Sequence, residues 1–407
     1  EIAALKAANA ELETANAALE GKVAELEAKL EAPTPAPTVD PTASPMTAPT
    51  ATPTAAPTAF TCAADEYFDG CTECPNGYTC DGVTKTCAVN KYVDNNECLE
   101  CPTGYTCDGA DATYSPTDGT ELKAAVDEWI GAATSAEAKY AHIGKWDTSK
   151  VTSMIMLFAG AAAFDADIGA WDTSKVTNMY GTFYEAAAFD ADIGGWDVSK
   201  VTVMTYAFYR ASTFDADIGG WDTSKVEDMY AMFYDAAAFN QDVGAWDTSK
   251  VEDMAYAFYN LHASTFDAPI GDWDVSKVTA MHYAFYGAHA FDADIGDWDV
   301  SKVTNMYRTF YEASTFDANI GAWDVSKVTN MNGAFFNAAA FDAPIGDWDV
   351  SKVTDMYATF YNAAAFDQNI SAWDVSKVTT FDLMFDRSNL QECPSWADGQ
   401  SAKGPCD

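Results

Sequence analysis

Apolar residues in this chain follow two distinct periods, separated by stretches that have neither. In residues 1–31, Ile2, Asn9, Asn16, Val23 and Leu30 occupy one heptad position and Leu5, Leu12, Leu19 and Leu26 the other. That alternation predicts a coiled coil, and two Asn at the first position favour two strands. Glu1 would face Lys6, and Lys22 would face Glu27, of a parallel partner, so the segment predicts a homo-oligomer. A lone Ala-rich helix is the plainer alternative, which four Leu in unbroken register argue against.

A longer period takes over downstream. Trp146, Trp171, Trp196, Trp221, Trp246, Trp273, Trp298, Trp323, Trp348 and Trp373 recur every 25 residues, with one step of 27 after Trp246. Ten copies at a fixed period are the signature of a stacked repeat array. The unit reads W-D-[TV]-S-K-V-[TE]-x-M-x-x-x-F-x-x-A-x-x-F-[DN]-x-x-[IV]-G-x, and the two extra residues fall around Leu261 and His262, which places them in a loop.

Within a copy, Val176, Met179 and Phe183 are three and four apart, the spacing of a short helix. Ser174 reads as its N-cap, and Ser224 with Glu227 and Ser249 with Glu252 read as capping boxes. The pattern then changes to period two, with Phe189, Ala191 and Ile193 against Asp190 and Asp192, which predicts a strand ended by Gly194. One helix and one strand per coil describe an α/β solenoid of the leucine-rich-repeat kind with a parallel sheet along one side. A pure β-helix is the second choice.

The remaining segments differ in kind. Residues 32–60 are almost wholly Pro, Thr and Ala, with Pro37, Pro41, Pro45, Pro49, Pro53 and Pro57 at four-residue intervals, so they form an extended spacer similar to O-glycosylated stalks. Residues 61–110 hold two similar cysteine units, Cys62, Cys71, Cys74 and Cys80, then Cys87, Cys98, Cys101 and Cys107. An even count, Gly and Pro turns and few aliphatic residues favour disulfides of unknown connectivity over zinc. These units resemble the small cysteine-rich modules of growth-factor and ephrin-receptor ectodomains. Residues 117–145 lead into the array, with Leu122, Val126, Trp129 and Ile130 on one face of a helix from Asp118 and an Asp118–Glu121 capping pair. The ten copies fill 146–390, and 391–407 form a C-terminal cap in which Cys393 and Cys406, flanking Trp396, are expected to pair.

Charge narrows the function. The formal net charge is −40, from 62 acidic and 22 basic side chains, a balance that repels phosphate backbones and anionic lipid, so nucleic acid is not an expected partner. The cysteine density points to an extracellular or cell-surface location, and no apolar run is long enough for a transmembrane helix. The four histidines, His142, His262, His282 and His289, fall at four different repeat phases, and no phosphate loop or HExxH string is present, so no enzyme and no cofactor are expected. The Lys at the fifth position, Lys150 to Lys377, with the Asp three residues before it, reads as a surface charge ladder. Asp165 with Asp167, Asp190 with Asp192, Asp215 with Asp217, and Asp292 with Asp294 are the candidate calcium ligands. A bare solvated acidic face is preferred, because like charges ~5 Å apart in water repel by only about 0.8 kcal/mol and the fold needs no metal to bear it.

The strings W-D-V-S-K-V-T-x-M and F-D-x-x-I-G-x-W resemble the BspA-type surface proteins, whose repeats also occur in mycoplasma lipoproteins and in protist and algal surface proteins. The match runs over about residues 140–390, with F-D-A-D-I where F-N-x-D-I is commoner. The resemblance implies a leucine-rich-repeat-like fold and surface-displayed adhesion or recognition of an extracellular protein or glycan, with no catalytic residues to transfer. A structural part of a surface coat or filament is the alternative. The variable positions eight and ten to twelve of the repeat, such as Asn178, Tyr180, Gly181 and Thr182, are the expected recognition surface, with Ile155, Tyr180, Thr205, Tyr230, Ala255, His282, Tyr307, Asn332 and Tyr357 at one exposed phase. Replacing Leu12 and Leu19 with Lys is predicted to convert a dimer into a monomer in sedimentation while leaving the circular dichroism of the array unchanged.

Overall fold

A computed structural model of the chain describes residues 91–94, 97–100, 105–107, 112–261 and 265–397. All of them lie in the larger of two compact units, Thr72–Asp407. The predicted coiled coil, the Pro/Thr spacer, and Cys62, Cys71, Cys74, Cys80, Cys87, Cys101, Cys406 and His262 lie outside the described residues.

Four short strands precede the array: β1 (Lys91–Asp94) pairs antiparallel with β2 (Glu97–Glu100), and β3 (Tyr105–Cys107) with β4 (Ala112–Tyr114). Cys98 and Cys107 fall in β2 and β3. Helix α1 (Gly119–Gly131) starts where the capping residue predicts, with the Asp118 side chain accepting from the N–H groups of Thr120 and Glu121. Leu122, Ala125, Val126 and Trp129 are buried. Two details differ from expectation. Ile130 is 41% exposed, and Glu121 accepts from Thr117 rather than closing a capping box on Asp118. A second helix, α2 (Ala133–Tyr140), follows at once. Tyr114, Trp129 and Tyr140 then pack their rings on Trp146, which gives the first coil an apolar neighbour on its open side.

The coils themselves depart from the predicted helix and strand. Counting Trp as position 1, the described coil residues contain no α-helix and no strand, but turns, irregular backbone, single parallel bridges and one 3-10 turn at Ile270–Asp272. Nine bridges at position 8, from Ser153↔Asn178 to Asp355↔Thr380, join the ten coils in order. Beyond each bridge the N–H groups alternate. Those of Met154, Met156, Phe158 and Gly160 donate to the carbonyls of Asn178, Tyr180, Thr182 and Tyr184 in the next coil, while those of Leu157, Ala159 and Ala161 donate three residues back within their own coil. A helix would commit every N–H to its own segment. Here half of them stitch coil to coil, and positions 11 and 15 consequently lie at φ between 50° and 72° in all ten copies. Consecutive turns of this kind turn residues three and four apart inward, so Val176, Met179 and Phe183 are buried as a helix would have buried them.

The predicted strand is corrected in the same way. Phe189 and Ile193 do face inward, but no backbone ladder joins this segment to its neighbours. The N–H of Asp190 is instead taken by the carboxylate of Asp165, 2.9 Å away in the preceding coil. Ser174 is not a helix N-cap either: its own N–H donates to Asp172 Oδ1 at 3.0 Å. The α/β description is therefore replaced by a repeat solenoid of stacked turns.

Inside, like residues stack in columns. Trp, Val, Met, Phe, Ala, Phe and Ile of positions 1, 6, 9, 13, 16, 19 and 23 are buried in nearly every coil. The indole N–H of each Trp from Trp171 to Trp373 donates to a main-chain carbonyl 28 or 30 residues earlier, at 2.9–3.2 Å. Trp396 adds a tenth rung by donating to the Ile370 carbonyl at 3.3 Å and covers Phe381 and Phe385 at the far end. Cys393, beside it, is disulfide-bonded. The two-residue insertion lies between Asn260 and Phe266, where it leaves the position-19 column intact: Phe266 still stacks on Phe239 and Phe291.

Column spacing is uneven, and this gives the array its curvature. Successive Trp rings are 6.2–6.4 Å apart and the position-19 Phe rings 5.9–6.2 Å. Rings at position 14, on the hydrogen-bonded side, are only 4.2–4.7 Å apart. Backbone pairing holds that side at about 4.8 Å, while aromatic bulk props the other open. Positions 10 to 15 thus form the concave side.

Glycine at position 24 is needed on the open side. A Cβ on Gly219 would sit 2.3 Å from the Asp242 carbonyl oxygen of the next coil, whereas one on the adjacent Gly220 would meet nothing within 4 Å. Gly219→Ala is predicted to lower stability by roughly 1–3 kcal/mol, the usual range for forced overpacking. Gly220→Ala should stay within about 0.5 kcal/mol of the parent in chemical denaturation.

Candidate functional site: a tyrosine-lined concave face

Two rows of aromatic side chains run along the concave side. Position 14 supplies Tyr184, Tyr209, Tyr234, Tyr259, Tyr286, Tyr311, Phe336 and Tyr361, all half-buried and stacked in one file with interplanar angles of 1–21°. The second row zigzags between positions 10 and 11. Tyr180, Tyr206, Tyr230, Tyr256 and His282 meet at centroid distances of 5.3–5.6 Å, mostly edge to face. Tyr283 and Tyr307 continue it at 5.0 Å. Near the centre, Tyr230, Ala231 and Ala255 form a second buried apolar cluster outside the main core, with Tyr206, Tyr209, Tyr234 and Tyr256 packed on it.

Because each position-14 ring lies flat on the next, its faces are covered by its neighbours and its edge is left accessible. The strip therefore offers phenol edges and hydrogen-bonding hydroxyls rather than open ring faces. Burial pushes the Tyr206 phenol up to about 12 and raises those of Tyr209 and Tyr259 further, so the hydroxyls stay protonated near neutral pH. The charges at the rim are few. Arg210 is held by Glu185 at 3.1 Å and Asp235 at 3.4 Å, and Arg387 lies over Tyr361 at 5.4 Å.

Four overlapping stretches, residues 127–246, 191–297, 232–342 and 283–396, match a family described as "Mycoplasma protein of unknown function, DUF285". The chain belongs to this family. The matches span 127–396 and so include every coil that contributes to the tyrosine strip. No curated protein and no solved structure matches the chain.

Of the positions that vary among this chain's own copies, the structure keeps some for the surface and withdraws others. Position 10 is not uniformly exposed: Ile155 and Tyr357 are, at 48% and 38%, but Thr205, Tyr230 and Ala255 are buried. Gly181 and Thr182 are buried too, and position 8 carries the bridge. The row at position 14 was missed by sequence reasoning. Its signal was available, since Tyr or Phe recurs there in eight consecutive copies while lying one residue outside the core Phe.

The acidic candidates are placed on the opposite side. Asp165, Asp190, Asp215 and Asp292 each accept the N–H of position 20 in the next coil, at 2.7–2.9 Å. Asp167, Asp192, Asp217 and Asp294 each accept the glycine N–H two residues on, at 3.0–3.3 Å. Each thus spends one oxygen on the backbone. Among the described residues no three His, Cys, Asp or Glu side chains gather as a metal site would require. The Asp of position 2 acts in the same way, and the Ser174 hydroxyl and N–H hold the Asp172 carboxyl below its ordinary value. Lys175, three residues on, is exposed.

Titration provides a check on the strip. A phenol whose folded pKa lies above its unfolded value of about 10 stabilises the fold fully below pH ~10 and loses that contribution as pH rises through the folded pKa. Ultraviolet titration is therefore expected to show Tyr206 ionising only near pH 12, together with loss of structure. Complete ionisation of Tyr206, Tyr209 and Tyr259 near pH 10 with the fold intact would contradict the packing described.

Proposed function

We propose that this chain is an extracellular, surface-displayed recognition protein that binds partner proteins through the tyrosine-lined concave face and catalyses no reaction. The observation that carries this reading is the continuous file of half-buried tyrosines on the inner side of a curved solenoid. Tyr is enriched in interface cores because it contributes large contact area and a hydrogen bond at small entropic cost. Concave solenoid surfaces are the usual binding side of repeat proteins. Kinship with BspA-type, leucine-rich-repeat-like surface proteins agrees with this reading, and the disulfide at Cys393 suits an oxidising location. Among the described residues no helix is long and apolar enough to cross a membrane.

A protein partner fits better than a glycan, because sugars stack on free aromatic faces and the position-14 faces are covered by their neighbours. The second reading, a structural part of a surface coat or filament, draws on the rows at positions 2 and 5, where Asp and Lys recur in all ten coils. Uniform rows suit lattice contacts.

Screening the full chain against panels of extracellular protein domains and glycans separates these readings. Protein hits are expected, and Tyr234→Ala combined with Tyr286→Ala should weaken them by about 30-fold, the ~2 kcal/mol of an interface hot spot. Asp190→Ser on the acidic side should leave them unchanged. Hits that survive the tyrosine substitutions, or a panel with none, would reject the concave face as the binding surface.

A further inference from the structure

We propose that Arg308 is the anchor for a carboxylate on the protein partner, an Asp or Glu side chain that docks end-on against its guanidinium within the tyrosine strip. This rests on the reading of the concave face as a protein-binding surface.

The chain carries only three arginines, Arg210, Arg308 and Arg387, against 62 acidic side chains. In such a molecule an arginine without an acidic partner is exceptional. Arg210 follows the expected rule and sits between Glu185 and Asp235. Arg308, four coils further on at position 11, does not. Its guanidinium lies 5.1 Å from the ring centres of Tyr307 and Tyr311 and 5.8 Å from that of Tyr283. Among the described residues its side chain makes no ion pair and no hydrogen bond, and its Nε is buried without an acceptor. The other two guanidinium nitrogens are not so enclosed. They form the planar fork that matches the two oxygens of a carboxylate.

The surroundings hold this fork in place. Three tyrosines restrain the guanidinium plane by cation–π contact, which a flexible surface arginine lacks. The next coil contributes Gly333 at position 11, where a Cβ would come within 3.2 Å of Arg308 Cγ and 3.4 Å of Tyr311. The neighbouring coil offers no acid in compensation: His282, at position 10, has a buried Nδ1 with no partner, and burial lowers its pKa to about 4, leaving the ring neutral. A preorganised, unpaired cation flanked by phenol edges has the composition of an interface hot spot. A polyanion is a poor occupant, because the remaining charge of −40 repels it. A single carboxylate in a partner of mixed charge meets the fork without that penalty.

Arginine-specific modification of the intact chain by phenylglyoxal, read residue by residue by mass spectrometry, tests this without a known partner. N-acetylglutamate amide is the probe, with glucuronate and sulfate at matched ionic strength as comparators. Arg308 is expected to react readily, and the glutamate probe at twice its dissociation constant should slow that reaction by about threefold, as simple mass action requires. Arg387 should be unaffected and serves as the internal control. No protection of Arg308, or equal protection of Arg387, overturns the proposal. Protection by glucuronate or sulfate as strong as by the glutamate probe also overturns it, since the site would then not select an acidic side chain. The footprint requires no partner, so its failure leaves the tyrosine-face reading standing, and a failed partner screen does not alter the footprint.

Discussion

The array depends on where the backbone N–H groups of each coil find acceptors. A 25-residue turn-rich coil cannot satisfy them within itself as a helix does, and a buried unpaired N–H costs about 1–3 kcal/mol. On one side, alternate N–H groups of positions 9, 11, 13 and 15 reach the carbonyls of the next coil. On the other sides, side-chain oxygens take over. Asp or Asn at positions 2, 8 and 22 closes a local turn on the N–H two residues later, as in Asp172 to Ser174, Asn178 to Tyr180 and Asp192 to Gly194. Asp at position 20 spans to the neighbouring coil. The acidity of the protein is thus in large part architectural, a consequence of using carboxylates as backbone acceptors.

This division of labour also shapes the molecule. Direct backbone pairing is concentrated at positions 7 to 15, with one further bond from position 18 to position 17 of the preceding coil in several copies, and the Trp and Phe columns hold the far side more than an ångström wider. The resulting curve compresses the position-14 tyrosines until their rings touch face to face. Left-handed backbone at two positions per coil is the cost, about 1–2 kcal/mol for each residue other than Gly, Asn or Asp, and the inter-coil hydrogen bonds offset it. The same geometry explains why the exposed chemistry of the concave face is phenol edges with occasional arginines, and why Arg308 lies among Tyr307 and Tyr311 of its own coil and Tyr283 of the preceding one.

Much of this was written in the chain itself. The strict recurrence of Trp, Val, Met, Phe and Ile determined the number of coils, the register and the identity of the core, because only stacking lets each short coil bury its apolar side. Asp118 determined the start of the cap helix, and Trp396 at the end of the last copy marked its closing rung. Tertiary structure alone decided the path of the backbone between those core residues. Apolar residues three and four apart fit both a helix and a run of i to i+3 turns, and the choice turns on whether alternate N–H groups have a neighbouring coil to donate to. For the same reason the position-20 aspartates read as a free acidic ladder until the adjacent coil supplied the N–H groups that occupy them, while those at position 22 are occupied locally by the glycine N–H two residues on. The tyrosine file likewise exists only once coils are stacked, and so does the contact of Arg308 with Tyr283 of the preceding coil, since these join residues 25 positions apart or more, a distance over which local pattern carries no information about which side chains will meet.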